Sequence, residues 1–285
     1  MTARRSRPPA QKSPPPRRAA ASDSAAPLEF FDCDLMLGSP LRTGLAGYDA
    51  ASAVAELARC GVTQALVYGH ALGPDAFATQ NRIALDAASA QPRLHACVVL
   101  PQFPLRRGQR VLSLVRELVA TGARAFRLER EVGPASGALE LERFPDAAAC
   151  WSLLARKRLP LFVPAAHFPV RDSRFAYGLD DVVALCRRHP TLPVVLLHAP
   201  YAIERQLYTA LARAKNLHLA ITRFGLFGQL ESFVAEFGAE RFLFGSGAPW
   251  NDPAIARGAV AYAALPLAQR RQIAGGNLRR LLRLP

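Results

Sequence analysis

The chain predicts a single (β/α)8 barrel behind a tail, and three observations carry that prediction. A short apolar run, a turn and an amphipathic stretch recur eight times between residues 28 and 285. Runs such as Val194-Val195-Leu196-Leu197 and Phe242-Leu243-Phe244 are apolar on both faces, as a parallel strand covered on each side requires. No Gly-rich phosphate turn follows the first run, which favours a closed barrel over an open doubly wound sheet.

Leu28 to Leu37 is the first predicted strand, and Tyr48 to Cys60, apolar at helical spacing, the first helix. Further strands fall near Gln64 to Tyr68, Leu94 to Leu100, Ala123 to Leu128, Leu159 to Val163, Pro193 to Leu197, Leu217 to Thr222 and Arg241 to Gly245. Helices fall between and after them, near Asp75 to Ala90, Gly108 to Thr121, Asp146 to Arg158, Asp180 to Arg188, Ile203 to Ala214, Leu226 to Phe237 and Leu267 to Leu284. Gly61, Gly122 and Gly238 are placed to end helices just before the next strand. The domain plan is a tail over residues 1–27 and one barrel over 28–285. The tail, built from Pro, Ala, Ser and Arg, has too little apolar surface to order itself.

Composition excludes several classes. No apolar run approaches the roughly 20 residues of a membrane span. Five widely spaced cysteines with no CxxC pair fit buried thiols in a reducing compartment, and the cytoplasm is the expected location. The net charge of +14 comes almost wholly from arginine, scattered through nearly every helix rather than gathered on one face. That pattern does not favour nucleic acid as a partner, and neither a membrane nor a cofactor is expected. A homo-oligomer is left open.

Strand one reads Phe31-Asp32-Cys33-Asp34-Leu35-Met36-Leu37-Gly38 and resembles the Asp-x-His-x-His-x-Gly opening of the amidohydrolase-related family of metal-dependent hydrolases and decarboxylases. The frame fits at Asp32 and Gly38, with Asp34 and Met36 where the family has histidines. Strand six ends on His198, as the family's does. Strand eight has Gly245-Ser246-Gly247-Ala248-Pro249 where the family has Gly-Ser-Asp-x-Pro, and strand five ends on Pro164, with His167 three residues on. Gly276-Asn277-Leu278 opens a stretch similar to the family's terminal helix. The resemblance implies the barrel and a hydrolase-like ancestry with most metal-ligand positions replaced. Met36 is no ligand for a hard ion, and Asp34 is free to hold a metal, cap a turn or pair with an arginine.

Strand ends of a barrel face its active-site mouth whatever the chemistry. Those positions make His198, His70 and Asp34 the catalytic candidates. Arg127, Glu129, Arg223, Tyr201 and Trp250 are the substrate-binding candidates, with no metal assigned. A ring so rich in arginine suits a small anionic molecule, since the guanidinium fork grips a carboxylate in two places. Cys33, one position before Asp34, is expected on the opposite side of its strand. His95 and His218, early in their strands, are expected at the other end of the barrel, and Asp252-Pro253 reads as a helix N-cap followed by Pro.

Three readings stay open. One is a metal-independent hydrolase of a lactone, ester or amide bond in a small anionic substrate. Another is a barrel without catalysis that binds a ligand or partner. The last is a mononuclear metal hydrolase or decarboxylase using Asp34, His70 or His167 with His198.

Overall fold

The computed structural model describes residues 27–38, 47–70, 76–100, 111–128, 146–165 and 178–285. Expectations that fall on residues 1–26, Glu129 and His167 lie outside this set. Eight parallel strands neighbour one another in chain order: β1 Phe30–Leu37, β2 Val62–Gly69, β3 Leu94–Leu100, β4 Ala125–Leu128, β5 Leu161–Pro164, β6 Val194–Leu197, β7 Leu217–Ala220 and β8 Phe242–Leu243. Helices α1 Ala50–Arg59, α2 Ala76–Ala90, α3 Val111–Ala120, α4 Ala147–Lys157, α5 Gly178–Arg188, α6 Glu204–Arg213 and α7 Gln229–Phe237 connect them. The seam between β1 and β8 closes through backbone bonds, Cys33 N to Phe244 O at 3.0 Å and Met36 N to Ala248 O at 2.9 Å. The architecture is the (β/α)8 barrel that the sequence predicts.

Alternation sorts each strand into two cores. Ala65, Val67, Phe126, Leu128, Leu161 and Val163 pack outward against the helices. Leu66, Tyr68, Ala125, Phe162, Val195 and Leu197 fill the interior together with Phe31, Cys33 and Met36. Gly61, Gly122 and Gly238 all sit at positive φ after their helices, as expected of caps.

The predicted last helix, Leu267 to Leu284, is not continuous, and an extra helix precedes it. Asp252 caps α8, Pro253–Ala261, by accepting from Ala254 N at 2.8 Å, with Pro253 at its first position. The C-terminal stretch then divides into α9 Leu267–Arg271, a π turn Gln272–Gly276 and α10 Asn277–Leu282. A side chain at Gly275 would lie 2.7 Å from the carbonyl oxygen of Glu29, so the chain presses against the start of β1 there. The Ile273 carbonyl accepts from Phe244 N at 2.9 Å. Contact with β1 and β8 thus overrides a regular helical spacing at this point. Leu278, Leu281 and Leu282 of α10 join the interior core.

Candidate functional site

β1 carries a bulge that builds the site. Asp32 lies opposite Ala65 and Leu35 opposite Val67, so three steps on β1 match two on β2. An extra residue re-aims the side chains around it. Cys33 joins the interior core, and Asp34, completely buried, also reaches inward to Arg127 and His198. The expectation that Cys33 and Asp34 face opposite ways therefore fails, because strict alternation does not survive the bulge. The Cys33 thiol is pushed well up, by burial first and then by the carboxylates of Asp34 and Asp32, so it is no nucleophile.

Three charged or ionisable groups meet in the interior. Arg127, on β4, donates from Nη1 to Asp34 Oδ1 at 2.7 Å. His198 brings Nε2 to 2.9 Å from Asp34 Oδ2. The guanidinium carbon also lies over the ring of Tyr68, 3.7 Å from its centroid. Arg127 is 1% exposed and His198 3%. Burial works to raise the Asp34 carboxyl, but the charges and hydrogen bonds of His198 and Arg127 together outweigh it and hold the group well below the usual carboxylate range. His198 follows β6 directly at φ 54°, a left-handed conformation that a residue with a Cβ adopts at a cost, and this turn brings the ring to Asp34.

A second carboxylate locks the seam beside this cluster. Asp32 accepts from the backbone N–H groups of Asp34 at 2.9 Å and Ser246 at 2.8 Å, and from the Ser246 hydroxyl. Burial pushes its carboxyl up to about 6 against the lowering effect of these bonds.

The other predicted residues are spread around the rim. His70 follows β2 half-buried, its titration lowered by burial, with its amide bonded to Leu37 O at 2.8 Å. Gly38 is required opposite it, because a side chain there would come within 2.3 Å of the His70 carbonyl oxygen. Arg223 is half-buried in the turn after β7, and Tyr201 is 67% exposed in the turn after β6. Trp250 packs partly buried on the top of the interior core. His95 lies tilted 5.1 Å from Phe31 and is lowered by burial and by Arg124 and Arg279, while burial, with Arg241 and Arg280, lowers His218 to about 3. Both histidines thus lie at the end of the barrel away from Asp34, as their early strand positions predict.

Sequence reasoning did not single out Tyr68, Ser246 or Thr222. The signal for Ser246 was present in the match of Asp32 to the family frame, but its partner emerges only when the barrel closes. Tyr68 reaches the cluster by register between strands, which sequence spacing does not report, and Thr222 lies beside Gly247.

The amidohydrolase family profile matches residues 39–284. The chain belongs to the amidohydrolase family. No curated protein matches the sequence. Among solved structures, a TIM-barrel protein from Bordetella bronchiseptica aligns with a TM-score of 0.69 at 17% identity, covering 90% of this chain and 99% of that one. A probable 2-pyrone-4,6-dicarboxylic acid hydrolase from Acinetobacter baumannii, with citric acid bound, aligns at 0.61 and 14% identity, covering 90% and 100%. A dihydroxybenzoic acid decarboxylase from a Polaromonas species, with bound manganese and 2-nitroresorcinol, aligns at 0.61 and 13% identity, covering 90% and 97%.

The described residues of this amidohydrolase-family barrel do not fit a divalent metal such as the manganese bound in the dihydroxybenzoic acid decarboxylase structure. Asp34 has one oxygen on a guanidinium and the other against the imidazole that a metal would also need. Gly247 occupies the strand-eight position where the family resemblance places a metal-binding Asp, at φ 68°. A side chain there would lie 2.5 Å from Thr222 Cγ2, 2.8 Å from Asn251 Nδ2 and 3.2 Å from His198 Cε1. Among the described residues, three or more His, Cys and carboxylate ligand atoms gather only at Glu56, Cys60 and Asp252, on the outside of the barrel. Arg59 already bridges Glu56 at 2.6 Å and Asp252 at 3.5 Å.

Proposed function

We propose that this barrel is a metal-independent hydrolase of a small carboxylated substrate, with His198 as general base and Asp34 as the group that orients it. The observation that carries the reading is the 2.9 Å approach of His198 Nε2 to one oxygen of the Asp34 carboxylate, whose other oxygen Arg127 holds at 2.7 Å. An imidazole that faces a carboxylate through Nε2 holds its proton there, leaving Nδ1 as the basic atom. Nδ1 takes a proton from water as the oxygen adds to an ester or lactone carbonyl. The same proton then goes to the departing oxygen, which regenerates the neutral ring. Arg127 holds Asp34 rather than substrate, so the anion contact falls to Arg223 with Tyr201 and Trp250 at the rim. The dicarboxylic acid and dihydroxybenzoic acid named for the two similar structures support a carboxylated substrate, by fold likeness alone. Five free, buried cysteines support a reducing compartment such as the cytoplasm.

The near-complete burial of all three groups favours one other reading, a barrel that binds its ligand without turning it over. A panel of carboxylated lactones and aryl esters, assayed on chelator-treated protein, separates them. The hydrolase reading expects chelator-insensitive turnover that falls roughly 100-fold or more in His198→Gln. Loss of turnover on chelation returns the metal reading. No turnover, with a carboxylated ligand raising Tm, leaves the binding protein.

A further inference from the structure

We infer that Arg127 is the resident cation of this barrel: its guanidinium supplies, between Tyr68 and Asp34, the positive charge that a divalent ion supplies in a metal-holding relative. The inference shares the absence of a metal with the proposed hydrolase but not its chemistry, and it holds whether or not His198 acts as a base.

Three independent placements support it. The guanidinium is nearly inaccessible to solvent and lies on the carboxylate at the bulge of β1, so a permanent charge is fixed inside the barrel. A buried carboxylate demands such a charge, because an anion left unpaired in the interior is expensive. The side chain below is an aromatic face at 3.7 Å, a seat for a planar delocalised cation. Finally, the strand-eight position that would complete a metal's ligand set is a glycine crowded by Thr222 and Asn251, which leaves no room for a carboxylate without rearrangement. The imidazole of His198 stays, a carboxylate, Asp34, stands where the family resemblance places a histidine, and the charge of the ion is supplied by a side chain.

Metal responses test this separately from turnover. Wild-type protein purified without chelator should hold well under 0.1 equivalent of zinc, manganese or iron, and millimolar zinc or manganese should leave its Tm unchanged. Arg127→Ala removes the charge and opens space beside Asp34 and His198, so millimolar zinc or manganese should raise its Tm by several degrees. That response should vanish in Arg127→Ala/Asp34→Asn, and Arg127→Lys, which keeps a cation, should remain insensitive to metal. About one equivalent of metal in the wild type, lost in His198→Ala, overturns the inference. So does an Arg127→Ala protein that folds yet ignores both ions. Should Arg127→Ala not fold, wild-type metal content and the Arg127→Lys response decide the matter, since a metal-responsive Arg127→Lys overturns it too.

Discussion

At the scale of single residues, the site turns on two aspartates two positions apart that burial treats in opposite ways. Asp34 has charge partners enough to stay ionised, and Asp32 has only neutral hydrogen-bond donors. Replacing Asp34 by Asn leaves Arg127 buried without its anion, and the expected loss is about 3–5 kcal/mol, read as a lower urea midpoint. Asp32 gives a pH signature. Its native carboxyl, at about 6, lies above the unfolded value, so the folded state binds this proton more tightly. Its contribution is fully present below about pH 4 and is lost as pH rises through 6, by about 3 kcal/mol in all. Asp34 runs the other way: its depressed carboxyl stabilises the fold above the ordinary carboxylate range and loses that contribution as pH falls below it. Urea midpoints measured from pH 4 to 7 should therefore decline less in Asp32→Asn than in the wild type; equal declines would show that Asp32 is not the titrating group. Asp34 was readable in the sequence as a carboxylate that would pair with an arginine, but not which arginine. Thirty-three arginines offer themselves, and the structure brings Arg127 of β4 to within 2.7 Å.

At the scale of elements, strand ends and helix ends set the geometry. The β1 bulge is the clearest case of an element that the sequence did not disclose: a run of apolar and acidic residues looks the same with or without an extra step against its neighbour. Gly247 is another, since its role follows from a positive φ beside Thr222. Gly247→Asp, which restores the family's residue, should not restore a metal site and should cost about 1–3 kcal/mol from strain and crowding. Calorimetry with and without manganese checks both halves. Asn277, at the start of α10, was legible as part of the terminal motif but not in its purpose. It is buried and donates from Nδ2 to Ala239 O and Phe242 O, each at 2.8 Å, tying the last helix to β8. Asn277→Ala strands two buried carbonyls and should lose about 2–4 kcal/mol, whereas exposed Arg283→Ala should change Tm little.

At the scale of the whole molecule, the two ends of the barrel chain close on each other. β1 meets β8 through the seam and the Asp32–Ser246 contact, and the C-terminal stretch adds Leu278, Leu281 and Leu282 to the interior beside Phe31. Removing residues 272–285 should therefore abolish the single cooperative transition and the near-ultraviolet circular dichroism of the packed aromatics, while removing residues 1–26 should leave both intact. Retention of a sharp melt by the C-terminal truncation would show that the interior holds without its plug. The sequence by itself determined the order of the eight strands and of the helices between them, the caps at Gly61, Gly122, Gly238 and Asp252, and the family. These are local or periodic properties, written in residue type and spacing. Only the tertiary structure decided that Arg127, Asp34 and His198 form one cluster, that Tyr68 seats the guanidinium, and that Gly247 is crowded by the side chains of Thr222 and Asn251. Those facts depend on register, a bulge and barrel closure, which join residues about 90 positions apart through packing that no short stretch of sequence encodes.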